Sequence, residues 1–400
     1  MKMPQYVKNC IDRLCRAGYL AYAVGGAVRD GLLGIEPSDW DVTTSARPEE
    51  ILSVFSDCRT IPTGIKHGTV TLLAEHEGKS VPIEITTFRI DGEYRDSRHP
   101  ESVSFSKDVR DDLSRRDFTV NAMAYNDQEG IIDVFGGSQD LENKIIRAVG
   151  VPEKRFSEDA LRILRAFRFC AQLEFEIEEE TLYGAKKCAP LLKNIARERI
   201  GAEMKRLLSS SGVSYALEKM IECDVLGAIF DIPAPEIDLI ERLGKLENGS
   251  FEARLAILIA DCEESQILKV LDCLRLSNQE KKLVLRLCSV GEFGICDEDN
   301  MSRVRNFLHY YKDILPHAIE VLRFYNRGAD AFFDAIELEL SKNRPLLISD
   351  LAIRGNDLLP LCESDHRRVG ILLKYLLDRV IDDPELNERD KLIEIAKKSL

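Results

Sequence analysis

Two aspartates one residue apart, Asp39 and Asp41, carry the clearest chemical signal in this sequence. Successive side chains of a strand point to opposite faces, so a strand over 39–42 would place both carboxylates on one face. Paired oxygen ligands of this kind suit Mg²⁺, which takes its other ligands from water and substrate phosphate. The pattern therefore predicts a Mg²⁺ site, although solvated loops also carry it.

A pair of glycines, Gly25 and Gly26, precedes these aspartates and follows an apolar segment, residues 22–24. Because glycine lacks a Cβ atom, backbone N–H groups at such a turn can approach a bound phosphate closely. Arg29 follows the turn and is placed to pair with that phosphate. The segment predicts a phosphate site, with an ordinary turn as the alternative.

A second group of charges begins at Arg115 and Arg116 and continues with Asp117. Arginine supplies a fork of N–H donors that suits phosphate or sugar oxygens. A structural ion pair between Arg116 and Asp117 is the alternative. We expect these residues to open an apolar helical segment over residues 113–124.

A third group lies in residues 156–171, which we expect to form one helix with Ser157 at its N-terminal cap. On a helix, Asp159 and Arg162 would be neighbours three residues apart, with Arg165 and Arg168 continuing the series. A carboxylate beside a guanidinium matches the amine donor and ring-nitrogen acceptor that cytosine and adenine share. The spacing therefore predicts selection of C and A, although an ordinary surface ion pair has the same spacing.

These three groups resemble motifs of one family, the tRNA nucleotidyltransferases and bacterial poly(A) polymerases, which are DNA polymerase β-like nucleotidyltransferases. The matching segments are Gly-Gly-x-Val-Arg-Asp with the following Asp-x-Asp, Arg-Arg-Asp-Phe-Thr-x-Asn-Ala, and Glu-Asp-x-x-Arg-x-x-Arg-x-x-Arg-Phe. The resemblance is dense over residues 20–206 and thin beyond them.

The resemblance implies roles for individual residues. It implies that Asp39 and Asp41 bind the metal and are catalytic. The nucleotide-binding residues that we expect from the glycine turn and the three motifs are Gly25, Gly26, Arg29, Arg116, Asp117, Asn121, Asp159, Arg162, Arg165 and Arg168. Among these, the resemblance assigns Arg116 to the incoming nucleotide, Asp117 and Asn121 to its sugar or to orienting the site, and Asp159 with Arg162 to the base.

The implied activity is template-independent addition of C, C and A to the 3′ end of tRNA from CTP and ATP, with release of pyrophosphate. An enzyme that adds only the terminal A, or a bacterial poly(A) polymerase, remains the alternative. Residues 67–70, His-Gly-Thr-Val, resemble the tRNA enzymes, whereas poly(A) polymerases tend to carry an arginine-rich segment there. A loop over 89–105, with Arg89, Arg95, Arg98 and His99, argues against an enzyme that adds only C. A silent RNA-binding protein would not need Asp39, Asp41 and Asp159 together.

Composition limits the partners. The 400 residues carry a net charge of -14, which argues against a protein that coats nucleic acid along its whole surface. The eleven cysteines lack zinc or Cys-x-x-Cys spacing, and no apolar run is long enough to span a membrane. We therefore expect a cytoplasmic protein that binds the tRNA 3′ end, ATP and CTP, with Mg²⁺ as cofactor and without membrane or DNA. The oligomeric state stays open.

The elements that must position these residues predict an α+β fold. We expect a polymerase β-like nucleotidyltransferase head with a mixed sheet over residues 1–140, including strands at 65–73 and 80–88. Glu84 in the second strand either faces the metal site or faces solvent. From Pro152 onward the apolar periodicity becomes helical. It predicts an all-α remainder, in which the resemblance implies a neck (141–210), a body (211–300) and a tRNA-binding tail (301–400).

Overall fold

The chain forms two compact units in this computed structural model. The structure describes residues 1–92, 103–230, 232–246, 249–293, 301–325, 330–362 and 365–399. Unit 1 comprises Met1–Lys245 with Glu264–Arg275, and unit 2 comprises Leu246–Glu263 with Leu276–Leu400. Among the described residues, no helix combines the length and the apolar character needed to cross a membrane.

Unit 1 is built on a mixed sheet. Its strands are β1 (Ala21–Val24), β2 (Asp41–Thr44), β3 (Thr60–Gly64), β4 (Thr69–His76), β5 (Lys79–Thr87), β6 (Arg89–Asp91), β7 (Val103–Phe105), β8 (Met123–Asn126), β9 (Gly130–Asp133), β10 (Ile145–Ile146) and β11 (Glu176–Ile177). A seven-stranded sheet has the order β3-β4-β5-β2-β1-β8-β9. β2 and β5 run parallel, whereas the other neighbours run antiparallel, which confirms the predicted mixed sheet.

The described helices include a few before β9, and helices make up most of the chain after it, as the periodicity predicted. They are α1 (Gln5–Arg16), α2 (Gly26–Leu32), α3 (Pro48–Val54), α4 (Val109–Ser114), α5 (Gly137–Glu142), α6 (Pro152–Glu158), α7 (Leu161–Leu173), α8 (Glu179–Cys188), α9 (Arg197–Leu208), α10 (Val213–Glu222), α11 (Val225–Phe230), α12 (Ile237–Gly244), α13 (Phe251–Ile259), α14 (Glu264–Cys273), α15 (Asn278–Cys288), α16 (Met301–Tyr311), α17 (Leu315–Tyr325), α18 (Asp330–Ser341), α19 (Gly355–Leu358), α20 (His366–Asp382) and α21 (Arg389–Ser399). Of these, α13 and α15 to α21 belong to unit 2.

A small apolar cluster fixes α4 against the sheet. Its buried members are Tyr22, Val24, Phe88, Val109, Leu113 and Ala124. Val109 and Leu113 lie four residues apart, so one face of α4 packs on β1 and β8. The residues that follow α4, Arg115 to Asp117, are thereby delivered to the edge of the sheet where β1 ends.

Three sequence-based expectations about secondary structure were wrong in detail. Residues 113–124 do not form one helix, because α4 ends at Ser114 and a short 3₁₀ turn at Thr119–Asn121 leads into β8. Residues 156–171 are broken at Asp159, whose extended backbone separates α6 from α7. The expected strand at 65–73 starts only at Thr69, because Ile65–His67 forms a 3₁₀ turn.

The expected loop at 89–105 begins and ends as strand. β6 and β7 pair antiparallel, with Arg89 opposite Phe105, and form a two-stranded ribbon. Arg95, Arg98 and His99 lie outside the described residues. The ribbon is anchored at its base, since Arg89 donates a hydrogen bond to the carbonyl of His67.

Unit 2 has its own helical core. Its buried members in the last third of the unit are Leu351, Ile353, Leu358, Cys362, Val369, Leu372, Leu376, Leu377, Val380, Ile381, Leu392 and Ala396. Half of them lie on α20, which packs against α19 and α21. Arg305 from α16 donates to the carbonyl of Asp382 at 2.6 Å and so closes the C-terminal end of α20.

Candidate active site

Asp39 and Asp41 flank the buried Trp40, which is only 4% exposed. Both aspartates are exposed, so the predicted alternation places the two carboxylates together and the indole on the other side. β2 starts at Asp41, which corrects the expectation that Asp39 lies within the strand. The Ser38 hydroxyl donates to Asp39 Oδ1 at 3.1 Å.

Glu84 stands beside Asp41. The parallel pairing of β5 with β2 puts Glu84 opposite Asp41, on the same exposed face of the sheet. Desolvation, together with the nearby charges of Glu84 and Asp39, raises the pKa of Asp41 to about 6, although the positive charge of Arg116 works in the opposite direction. Asp41 is exposed by surface area, but its carboxyl group is crowded by other carboxylates. A cation would relieve that repulsion.

The donor chemistry of this face fits Mg²⁺, because all three side chains offer oxygen ligands only. In the part of the chain that the structure describes, no three His, Cys, Asp or Glu side chains are already arranged around one ion position. The face thus supplies the ligands without the finished geometry of a bound ion.

The glycine turn lies directly under an arginine. Gly25 has a φ of +77° and forms the N-terminal cap of α2, a conformation that glycine adopts without strain. A Cβ atom on Gly25 would stand 2.9 Å from Nη1 of Arg116, so a side chain there would displace the guanidinium. Arg116 also has a buried Nε atom without a hydrogen-bond partner among the described residues. The turn and Arg116 together present N–H donors to one small space.

A chain of hydrogen bonds ties the glycine helix to the neck. Arg29, only 9% exposed, donates from Nη1 to Oδ1 of Asn121 at 2.8 Å. Asn121 in turn donates from Nδ2 to Oδ1 of Asp117 at 3.3 Å. Asp117 Oδ2 then accepts from Nε of Arg165 at 2.8 Å. Arg29 therefore stands as an internal support for Asn121 in this structure, and its contact with phosphate stays a prediction.

Asp117 is held ionised within this chain. Its burial alone would raise the pKa, but the charge and hydrogen bond of Arg165, with further help from Arg162 and Asn121, hold the pKa of Asp117 well below its usual range. A permanently charged carboxylate keeps Arg165 in one place on α7.

Three arginines surround the ring of Phe169, which is 5% exposed. The Cζ atoms of Arg29, Arg165 and Arg168 lie 5.0, 5.2 and 3.9 Å from the ring centroid. Cations over an aromatic face are attracted by its quadrupole. Phe169 therefore connects α2 of the head with α7 of the neck through contacts that the charge pattern alone did not indicate.

Asp159 and Arg162 do not form the predicted pair along one helix. The extended backbone of Asp159 lets its Oδ1 accept from the N–H of Leu161 at 3.1 Å and so cap the start of α7. Its carboxylate instead pairs with both Nη atoms of Arg199, at 3.2 and 2.7 Å. Sequence reasoning missed Arg199, although it lies in a basic segment, residues 186–206, which carries seven Lys and Arg residues against two Glu.

Arg162 has partners of its own. Its Nη1 donates to Glu158 Oε2 at 2.8 Å and its Nη2 donates to the carbonyl of Arg115 at 3.0 Å. The break between α6 and α7 still leaves Asp159 and Arg162 close in sequence, each fixed by a different neighbour. The acceptor, Asp159, is thus held by Arg199, and the donor, Arg162, is held by Glu158.

Arg168 lies deeper than the other arginines. It is 6% exposed and donates from Nε to Glu203 Oε2 at 2.5 Å and from Nη1 to Gln172 at 2.7 Å. Glu203 on α9 is equally buried at 6%. This pair joins α7 to α9 inside the neck, and a contact of Arg168 with the base or triphosphate stays a prediction.

Comparison with protein-family models matches two segments of the chain. Residues 21–147 match the poly A polymerase head domain. Residues 174–240 match a family described as a probable RNA and SrmB-binding site of polymerase A. The first segment contains the carboxylates and the glycine turn, and the second contains Arg199 and Glu203.

Several relatives and solved structures are similar to this chain, over its whole length or over part of it. The CCA-adding enzyme of Ligilactobacillus salivarius (strain UCC118) is 34% identical over 98% of this chain and 95% of its own length. The CCA-adding enzyme of Geobacillus kaustophilus (strain HTA426) is 47% identical over 54% of this chain and 52% of its own length. The crystal structure of the Bacillus stearothermophilus CCA-adding enzyme in complex with CTP superposes with a TM-score of 0.80 at 30% identity, covering 100% of this chain and 99% of that one. A Thermotoga maritima CCA-adding enzyme complexed with tRNA-CCA, 22% identical, shares the fold with a TM-score of 0.71 over 98% of this chain and 94% of that one.

Proposed function

The chain belongs to the family of CCA-adding enzymes, and from that premise we propose which of its residues add C, C and A to the tRNA 3′ end. The enzyme takes CTP and ATP as substrates, uses no nucleic-acid template and releases pyrophosphate. The observation that carries the assignment of residues is the meeting of Asp39, Asp41, Gly25 and Arg116 at one edge of the head sheet.

The head supplies the transfer chemistry in this proposal. Asp39 and Asp41, with Glu84 beside them, would hold Mg²⁺, which when bound lowers the pKa of the tRNA 3′-hydroxyl and neutralises triphosphate charge. Arg116 and the turn at Gly25 and Gly26 orient the phosphates by donating N–H groups. Asp117 and Asn121 face the sugar or orient Arg165 and Arg29 around it.

The neck supplies the choice of base. Asp159 accepts from the exocyclic amine that cytosine and adenine share, and Arg162 donates to the adjacent ring nitrogen. Uracil and guanine present a carbonyl in place of the amine, so Asp159 would face an acceptor and one group would lose its partner. Such a loss costs about 1–3 kcal/mol in a dry pocket. Arg199 holds Asp159 and Glu158 holds Arg162, so both side chains that recognise the base keep fixed positions.

The rival activities are disfavoured by features of the chain and its relatives. The relatives that cover almost the whole chain are CCA-adding enzymes. Residues 67–70 lack the arginine-rich segment of poly(A) polymerases and begin with His67, whose carbonyl accepts a hydrogen bond from Arg89 of the ribbon. We further propose that boundaries near residues 140, 210 and 300 separate the head, neck, body and tail, and that the tail contacts tRNA. The enzyme would act in the cytoplasm, where tRNA, CTP and ATP occur together.

One incubation series tests the activity. The protein is mixed with Mg²⁺ and tRNA ending at the discriminator base, at -C or at -CC, with each nucleotide alone and then with CTP and ATP together. Growth by C, C and A followed by a stop is expected. Addition of A only to -CC would indicate a split pathway, and unlimited tracts of A would overturn the proposal in favour of polyadenylation.

A further inference from the structure

Asp112 is a fully buried carboxylate that contacts Thr43 on the strand of Asp41 and also Arg116 beside the glycine turn. It sits on α4, is 0% exposed, and was not among the residues that sequence motifs indicated. Its Oδ1 accepts from Nε and Nη2 of Arg115 at 2.9 and 2.6 Å. Its Oδ2 accepts from Nη2 of Arg116 at 3.3 Å and from Oγ1 of Thr43 at 3.1 Å.

Asp112 accepts three hydrogen bonds from the two arginines, and the single hydroxyl proton of Thr43 is shared between Asp112 and the carbonyl of Thr86 at 3.2 Å. The carboxylate is therefore close to its acceptor capacity of about four lone-pair sites. The charges of the two arginines outweigh the desolvation that would raise the pKa of Asp112, so its pKa is lowered and the group stays ionised. An ionised, nearly saturated and immobile acceptor fixes every donor that it contacts.

Each donor leads to a different part of the site. Thr43 lies two residues after Asp41 on β2, so the catalytic strand is attached to Asp112. Arg116 extends from Asp112 to the glycine turn, where its Nη1 would be 2.9 Å from a Cβ on Gly25. Arg115 uses its carbonyl to accept from Arg162 of the neck at 3.0 Å.

We propose that Asp112 is a positioning residue, which holds Arg116 over the glycine turn at a fixed distance from the strand that carries Asp41. This inference rests on the proposed function, because Arg116 matters only if it binds the incoming nucleotide. Asp112 secures the Nη2 atom of the guanidinium, which leaves Nη1 beside the glycine turn.

Substitution by asparagine would break this arrangement selectively. In Asp112→Asn one oxygen becomes an NH₂ group, which cannot accept from a guanidinium. Arg115 makes two close bonds to one oxygen, and the Thr43 hydroxyl can rotate to accept from the new NH₂ group. Arg116, at 3.3 Å, is therefore the donor that loses its partner.

A double-mutant cycle tests the proposal. We would measure kcat/KM for CTP on tRNA lacking its 3′ end for the wild type, Asp112→Asn, Arg116→Gln and the double variant. Asp112→Asn should lower kcat/KM for CTP about tenfold, as expected for a lost charge-assisted bond. In the Arg116→Gln background it should change kcat/KM about twofold or less, because the residue through which it acts is gone. The KM for tRNA should stay unchanged.

Asp140 provides a matched control. It is 5% exposed and accepts from Thr119 at 2.7 Å and from Arg147 at 3.0 Å, but it makes no contact with Arg116. Asp140→Asn should lower the melting temperature without changing kcat/KM for CTP. An equal loss for both aspartates would overturn the proposal, as would an Asp112→Asn effect that is absent or that multiplies with that of Arg116→Gln.

Thr43→Val keeps the cycle informative if Asp112→Asn does not fold. This variant removes the hydroxyl that is shared between Asp112 and the carbonyl of Thr86, and should lower kcat/KM for CTP about fivefold or less, again only while Arg116 is present. A Thr43→Val effect that persists in Arg116→Gln would overturn the proposal. Failure of the proposed function itself would be distinct, because the wild-type protein would then incorporate neither CTP nor ATP.

Discussion

The two halves of the site differ in how their charges are compensated. The head half, defined as Asp39, Asp41 and Glu84, consists of exposed carboxylates that stand beside one another. The neck half, defined as Asp159, Arg162, Arg165 and Arg168, consists of side chains that each have an oppositely charged protein partner.

This difference follows from what each half would bind. Desolvation, with a further contribution from the charges of Glu84 and Asp39, raises the pKa of Asp41, and such a group of carboxylates favours a cation that can bridge them. A base carries no net charge and is distinguished only by the positions of its donors and acceptors. The neck half therefore holds each of its groups in place by pairing it with an oppositely charged side chain elsewhere in the protein.

The largest expected effect is in the head half. Asp41→Ala should abolish nucleotide incorporation, because a metal site cannot be completed without this ligand. Binding of tRNA, measured by fluorescence anisotropy, should persist. Asp57→Ala is the control. Asp57 is an exposed aspartate that pairs with Arg13 and is not one of the head-half carboxylates, so this variant should retain activity. Appreciable incorporation by the Asp41 variant would remove the metal role and with it the contrast between the halves.

The next effect is on selectivity in the neck half. Asp159→Asn should lower discrimination against UTP and GTP by about tenfold to a hundredfold, because the amide can no longer act only as an acceptor. Arg199→Lys should produce a smaller loss, since one donor replaces the bidentate contact. The readout is the ratio of kcat/KM values for CTP and UTP on one tRNA.

Arg197→Lys is the matched control for selectivity. Arg197 lies on the same helix, α9, and donates to the carbonyl of Ile229 at 3.3 Å, away from Asp159. Its substitution should leave the CTP to UTP ratio unchanged. If Asp159→Asn also left that ratio unchanged, base choice would have to come from other groups.

The order of the elements in the head could be predicted from sequence because the relevant signals are local. The apolar spacing of α1, the glycine at 25, and the alternation around Trp40 each depend on neighbours within a few residues. The position of Glu84 beside Asp41 could not be predicted, because the register of two strands distant in sequence determines it. The strand pattern alone favours a solvent-facing side chain for Glu84 over one that faces the metal site.

The neck shows where sequence patterns mislead. A run of arginines every third residue indicated one helix, but Asp159 at the end of α6 leaves the helical conformation. Its partner, Arg199, is 40 residues away, and Glu203, the partner of Arg168, is 35 residues from that arginine. Partners that come from another helix are determined by packing, and the sequence of either helix alone does not reveal them.

The smallest expected effect concerns Arg168, and it separates support from recognition within the neck half. Glu203→Met alone would leave a buried arginine charge uncompensated and should lower the free energy of unfolding by about 3 kcal/mol. The double variant Arg168→Met with Glu203→Met replaces the pair by apolar side chains and should recover most of that loss, as measured by urea unfolding. If Arg168 only joins α7 to α9, the double variant should retain the CTP to UTP ratio and the KM for CTP within about twofold, because distant sites contribute independently. A recovered stability combined with a much higher KM for CTP would instead place the Arg168 guanidinium against the nucleotide, and the neck half would then include a cation that exchanges its protein partner for substrate.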